Sequence, residues 1–278
     1  MRGQRVARGA WLLVAATILV GLVVSSMMAP EFVDPPNFDL RNAGPFTAPP
    51  MGVDDRGIPL HQYAMQGAGI VTLPALASGF LVMALATFAG LIRCAGFNWI
   101  DTAIQSVGEL LGSLPRLVVI LVIALMLPPD WKILLPIGLA WALLAAPNAM
   151  DEAASTAGRL GGERFVEALR AHGFSAPRIY LYHVVWLNLR AVIVRQGAEV
   201  MMQVVFLEIA LSYLAVSRNE PSFTHSDGIY SWATLLYQGY TALLSTRDPL
   251  WHSAFFGLML VALVALMAQS FRLAARAR

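Results

Sequence analysis

The chain has 278 residues, of which 58% are hydrophobic and 13% charged, and its mean hydropathy is +0.64. One soluble core cannot hide so much apolar side chain, so the composition predicts a protein that lives in a lipid bilayer. The net charge is only +2, and the eighteen arginines form no runs, which excludes a typical nucleic-acid-binding protein.

The histidines and the single cysteine give no metal-site signature. Cys94 is the only cysteine, so an internal disulfide is excluded and no CxxC pair exists. The five histidines are scattered along the chain and show no ligand spacing. We therefore expect no metal and no cofactor bound by this chain itself.

The first hydrophobic segment covers residues 10–29, carries no charge and follows Arg2, Arg5 and Arg8. About 20 residues at about 1.5 Å each are enough to cross the hydrocarbon core. The small residues Ser25 to Ala29 also suit a signal-peptidase site, but five further spans favour an uncleaved anchor. Residues 1–9 then form a short terminus, and the proline-rich residues 30–66 form a loop.

Five more spans are predicted after this loop, within one transmembrane domain at 67–272 and before a tail at 273–278. Pro115 should kink the third span, whose first turns are polar and suit an interface. A polar connection at 217–248 separates the last two spans. The spans are predicted at 69–92, 101–127, 132–150, 179–216 and 249–271.

The distribution of Lys and Arg sets the orientation. With the N-terminus inside, eleven of these residues lie in inner connections and five in outer ones. The sequence thus predicts an all-α membrane protein with six transmembrane helices and both termini in the cytoplasm. The loop at 151–178 is then cytoplasmic, between the fourth and fifth spans.

That cytoplasmic loop contains a short amphipathic segment from Glu163 to Gly173. On a helix, Phe165 and Leu169 share one face with Val166 beside them, while Glu167 and Arg170 form a charged flank. Gly173 supplies the left-handed residue that ends the helix. We interpret the segment as a docking element; the alternative is a helix that lies on the lipid surface, which more often carries basic residues along its polar face.

Polar residues inside the spans are candidates for a transport pathway. Arg195, Gln196, Glu199 and Gln203 fall near one stripe of the fifth span, where Glu199 can pair with Arg195 four residues earlier. Arg116, beside Pro115, is a further candidate. These residues either line a solvated pathway for a zwitterionic or amide-bearing solute or hold neighbouring membrane chains together.

Glu208 points elsewhere on the fifth span, and we expect it to make a structural hydrogen bond to a neighbouring span.

Four stretches together resemble one family. Phe165 to Ser175, followed by Arg178-Ile179 and His183, is similar to the cytoplasmic EAA loop of ABC importer permeases. Gly52-Val-Asp-Asp-Arg-Gly57, then Gln66-Gly67, and Leu207 to Leu214 resemble further motifs of the dipeptide/oligopeptide/nickel permeases, in the same order. The resemblance covers roughly residues 45–278 and points to the C-type subunit of a permease pair. Leu169 departs from it, because the family has alanine there.

The resemblance implies a subunit of a bacterial inner-membrane importer that performs no chemistry itself. It implies a B-type permease partner, two ABC ATPases that bind ATP and Mg²⁺, and an external solute-binding protein that delivers peptides or a similar small solute. The ATPases would couple through the short helix, at Phe165, Val166, Glu167, Ala168, Leu169, Arg170 and Gly173.

Other classes remain open beside this one. An ion-coupled secondary transporter would share ionisable groups among several spans, whereas here they concentrate on one predicted helix. An intramembrane hydrolase would need converging catalytic residues, and the sequence places no clear second catalytic residue at helical spacing from His183. A membrane scaffold without transport activity is a further alternative.

Overall fold

The computed structural model shows a chain built from helices and connecting loops. Its one bridge of strand type, in the part described, joins Val53 to Pro59 in the first loop. The described residues are 2–95, 98–128, 131, 133–162, 165–218, 228–244 and 251–276.

A π-helical segment (Arg178–Leu189) runs directly into α7, and a short 3₁₀ turn (Phe38–Leu40) lies in the first loop. The α-helices are α1 (Arg2–Met27), α2 (Leu60–Ala95), α3 (Asn98–Gly112), α4 (Arg116–Met126), α5 (Leu134–Gly162), α6 (Phe165–Ala171), α7 (Arg190–Arg218), α8 (Trp232–Leu244) and α9 (Trp251–Arg276).

Five helices within the described ranges are long and apolar enough to cross a membrane: α1, α2, α5, α9 and the continuous π-segment with α7. Helices α3 and α4 pass the same test together but are bent by 80° at a short break, and they make a sixth span if counted as one. The all-α class is therefore confirmed, with five or six candidate membrane-spanning helices among the described residues.

The break between α3 and α4 lies at the predicted kink. Pro115 precedes the first residue of α4 with an extended backbone (φ −70°, ψ 97°). Proline lacks the N–H that would continue the helical ladder, so α3 ends and the chain turns. The third span is therefore not a single bent helix but two helices joined at an angle.

Several helices extend past the spans predicted for them. Helix α2 begins at Leu60, well before Gly69, and α5 continues to Gly162, well past Met150. Charged residues such as Glu152 do not end α5, because the helix packs along α2 beyond the apolar run and its backbone stays paired. The connection predicted at 217–248 contains α8.

Helix α2 lies at the centre of the bundle and packs along α5 and α7. Its crossing with α7 is close because glycine faces glycine: a Cβ added at Gly79 would lie 3.0 Å from the Gly197 carbonyl oxygen, and one at Gly197 would lie 3.1 Å from that of Gly79. Small residues let two membrane helices approach to backbone contact. Helix α1 lies on the outside of the bundle against α9 and α2.

Candidate functional site

The short helix α6 forms where the sequence predicted it, between two long apolar helices. Glu167 lies in its first turn and Arg170 in its last, which suits the helix dipole. The Gly173 N–H donates to the Arg170 carbonyl (2.9 Å), and the Phe174 N–H donates to that of Leu169 (3.2 Å). With Gly173 at φ +79°, this is a Schellman C-cap, so the predicted helix stop is confirmed.

The apolar side of α6 faces the protein's own core. Val166 is 7% exposed, and Leu169 and Phe174 pack against the main hydrophobic cluster. Leu169, one of the residues predicted to couple to the ATPases, is partly buried against this cluster. Glu163 and the side chain of Phe165 lie outside what the structure describes.

The opposite side of α6 is open. Glu167, Ala168, Arg170 and Ala171 are all exposed. An acidic and a basic residue therefore flank two alanines on the surface of α6 that is free to meet another molecule.

Helix α6 is tied to the membrane helix that follows it. The Arg170 guanidinium donates to the Tyr180 hydroxyl (2.8 Å), and the Arg178 guanidinium lies 4.9 Å above the Phe174 ring. The His183 ring meets Phe174 edge-on, with centroids 5.4 Å apart. Side-chain contacts, as well as the backbone, therefore join α6 to the start of the π-helical segment.

The π-helical segment gives this connection an unusual backbone. Its buried residues, Ile179, Val184 and Leu189, recur every five residues, which matches i to i+5 hydrogen bonding. The Asn188 amide donates to the His183 carbonyl (2.6 Å), and the Arg190 guanidinium lies over the Trp186 ring at 5.9 Å. Wide helical turns are often found at functional sites, and here they link α6 to α7.

A polar seam runs between α5 and α7, and we define it by Trp141, Asn148 and Glu152 on α5 and Arg195, Gln196, Glu199 and Gln203 on α7. Arg195 and Gln196 both donate to the Glu152 carboxylate. The Trp141 indole N–H donates to the Gln203 side-chain oxygen (3.0 Å). The two helices are antiparallel, since the partner on α5 moves from Glu152 back to Trp141 as the chain advances along α7.

Glu199 and Asn148 lie between these two contacts, one on each helix, and so fall at the same level. Both side chains are exposed. Arg195 does not pair with Glu199 on its own helix. It forms an ion pair with Glu152 on α5 instead. Within the seam, Arg195 is paired with Glu152, whereas the Glu199 carboxylate and the Asn148 amide are exposed.

Sequence reasoning missed Glu152 because it predicts that the fourth span ends at Met150. It missed Trp141 and Asn148, which lie inside that span, because it looked for polar stripes only on the fifth span. A signal existed: Trp141, Asn148 and Glu152 recur at seven and four residues, which places them near one helical face. A longer α5 would have brought that face beside the stripe on α7.

The other two predicted polar residues lie apart. Arg116 is the first residue of α4 and is partly buried, and within the described part no ion pair or hydrogen bond joins it to the seam. Glu208 is fully buried, and its Oε1 accepts from Ser212 on the same helix (2.7 Å). Ser231, just before α8, lies beside the same carboxyl, whose Oε2 has no hydrogen-bond partner among the described residues.

The first loop is held to the bundle by a buried carboxylate. Asp54 is fully buried and accepts from the Ile58 N–H (2.8 Å), the Tyr63 hydroxyl (2.8 Å) and the Arg56 N–H (2.9 Å). Gln238 of α8 lies 3.4 Å from the same carboxylate. We call this set, Asp54, Arg56, Tyr63 and Gln238, the loop clamp.

Two glycines allow the loop clamp to form. Gly52 and Gly57 adopt positive φ angles of 85° and 79°, and a Cβ at Gly57 would lie 1.8 Å from the Asn37 carbonyl oxygen. Burial acts against the charge of Arg56, but Tyr63, Tyr230 and Asp54 together raise the pKa of Arg56 above its ordinary value. The arginine therefore stays charged beside Asp54.

Within the described ranges, no group of three His, Cys, Asp or Glu side chains comes together. A scan against protein-family models matches none of them, and a search of curated proteins finds no relative of this chain.

Proposed function

We propose that this chain is a permease subunit of an ATP-binding-cassette importer that moves peptides or a similar small solute across a bacterial inner membrane. The observation that carries the proposal is α6: a seven-residue helix between two membrane-spanning helices, with an apolar side packed on the bundle and a charged side exposed. A second permease, two ATPases holding ATP and Mg²⁺, and a solute-binding protein complete the assembly.

The mechanism uses contact instead of chemistry. ATPase closure pushes on the exposed residues Glu167 and Arg170, and the contacts of Arg170 with Tyr180 and of Phe174 with His183 pass the displacement to the π-segment. Since that segment is continuous with α7, movement of α6 turns the helix that carries the seam. In this scheme both termini and α6 face the cytoplasm.

The test separates coupling from folding. Glu167→Lys reverses an exposed charge on α6, and Gly173→Val places a side chain at a positive φ in otherwise open space. Both variants should insert and assemble, yet lose solute uptake while the ATPases continue to hydrolyse ATP. Glu31→Lys is the matched control, because it reverses an exposed charge in the loop that this proposal places on the opposite side.

If both single variants, Glu167→Lys and Gly173→Val, take up solute at the normal rate, the coupling role of α6 is overturned. Failure to recover any ATPase with the chain purified from its native membrane would overturn the assignment to an ATP-driven importer.

One observation favours a second candidate, an ion-coupled secondary transporter. Ionisable residues are shared between two spans, since Glu152 of α5 pairs with Arg195 of α7. Proteoliposomes containing this chain alone decide between the two: uptake driven by a proton or sodium gradient selects the secondary transporter, and an ATP requirement met only with partner chains selects the importer.

A further inference from the structure

The open part of the polar seam holds the carboxylate of Glu199, which has no ion-pair partner among the described residues. Glu199 lies near the middle of the apolar stretch Arg178–Ala215, and its side chain is exposed. A carboxylate at such a depth is costly in hydrocarbon and faces a cavity, a pathway or a neighbouring chain. The charged groups near Glu199 therefore indicate what kind of molecule contacts its side chain.

The charges of the seam do not cancel. Arg195 is engaged by Glu152 and also shares that carboxylate with Gln196, so the seam, as far as the structure describes it, keeps no positive charge for Glu199. Gln203 is engaged by Trp141. Asp151, beside Glu152 on α5, is exposed as well, and no ion pair to it or to Glu199 occurs among the residues described.

We propose that Glu199 and Asn148 form a mid-membrane binding site for a positively charged organic group, an ammonium or a guanidinium, on the transported solute. The carboxylate neutralises the charge, and the Asn148 amide oxygen accepts a further N–H at the same level. This inference rests on the proposed function, because it needs a solute that passes along the seam. A cation supplied by a neighbouring membrane chain is the competing occupant.

The experiment measures whether water reaches the proposed site and whether the site prefers positively charged reagents, and it does not require the solute to be identified. Cys94 is the only cysteine of this chain, so Cys94→Ser removes its native thiol and Asn148→Cys then places one thiol of this chain at the proposed site, where its labelling is followed on this chain alone. The complete complex in membrane vesicles is treated with two methanethiosulfonate reagents, one carrying trimethylammonium and the other sulfonate. The ratio of their rates is measured with Glu199 present and with Glu199→Gln.

With Glu199 present, we expect the thiol introduced by Asn148→Cys to react with both reagents and to favour the cationic one by about tenfold relative to a free thiol in solution. Glu199→Gln should abolish most of that preference. Glu208→Gln is the matched control: it removes a carboxylate from the same helix at a buried position away from the seam, and it should leave the ratio unchanged.

Each other outcome overturns the inference in a recognisable way. No labelling by either reagent means that the position faces lipid or a tightly packed subunit, so there is no aqueous site. Labelling without a charge preference refutes the cation site and leaves the pathway intact. The importer assignment is judged separately, by whether ATP changes the labelling rates in the complex.

Discussion

Arg195 of α7 donates to the carboxylate of Glu152 on α5, so the stripe predicted on one helix is in fact shared by two. About a third of each side chain is exposed, at 30% and 35%. The pair is neither fully buried nor freely solvated, and its geometry fixes the register of two antiparallel membrane helices. The largest energetic effect of such a pair is expected when one partner is removed, because the other charge is then left partly desolvated and unpaired.

Removing one member of the pair should cost more than removing both. Glu152→Gln leaves a partly desolvated guanidinium without its counter-ion, and we expect a loss of about 1–2 kcal/mol, below the figure for fully buried pairs because water still reaches both groups. The double variant Glu152→Gln/Arg195→Gln should recover part of that loss. Thermal unfolding of the purified chain in detergent measures the cycle.

The charge-swapped variant Glu152→Arg/Arg195→Glu is the control for this pair, since it preserves the attraction and reverses its direction. Strictly additive losses in the cycle would show that the two residues do not interact, contrary to the structure.

The pair also shows how far sequence alone reaches. Helix α6 with its glycine stop and the break at Pro115 follow from local rules, because a C-cap and a proline act within one turn. The partner of Arg195 depends on where α5 ends and on its register against α7, which are tertiary properties. Glu199 was the nearest acid along the sequence, and the structure gave Arg195 a better one across the seam.

Helix α8 was missed for a related reason. Its 13 residues are too few to cross a bilayer, so a search for spans passes over it. A local signal was nevertheless present: the Ser231 hydroxyl accepts from the Ala233 N–H (3.2 Å), and Thr234 accepts from the Ser231 N–H (3.3 Å). Ser231 is therefore the N-cap of α8, and Thr234 bonds back to its N–H in the place that Glu or Gln takes in a capping box.

Substitution at the crossing of α2 and α7 should be poorly tolerated. A Cβ at Gly197 would lie 2.4 Å from Met83 Cγ and 3.1 Å from the Gly79 carbonyl oxygen. Met83 can rotate away but the backbone cannot, so Gly197→Ala should lower the free energy of unfolding by about 1–3 kcal/mol. Thermal unfolding of the detergent-solubilised chain gives the value.

Gly21→Ala on α1 is the matched control for Gly197→Ala, because nothing lies within 4 Å of its added Cβ. It should be neutral or slightly stabilising, since alanine favours helix. If Gly197→Ala changes the free energy of unfolding no more than Gly21→Ala does, the backbones of α2 and α7 are not in close contact at Gly79 and Gly197.

The loop clamp should stabilise the first loop through Asp54. Asp54→Ala removes a fully buried acceptor and leaves the Ile58 N–H and the Tyr63 hydroxyl without partners, at a cost of about 1–3 kcal/mol for each stranded donor. The loop should then become sensitive to protease under conditions that leave the parent chain intact. Asp55→Ala is the control, since its side chain is exposed. Equal cleavage rates for the two variants would show that Asp54 does not hold the loop.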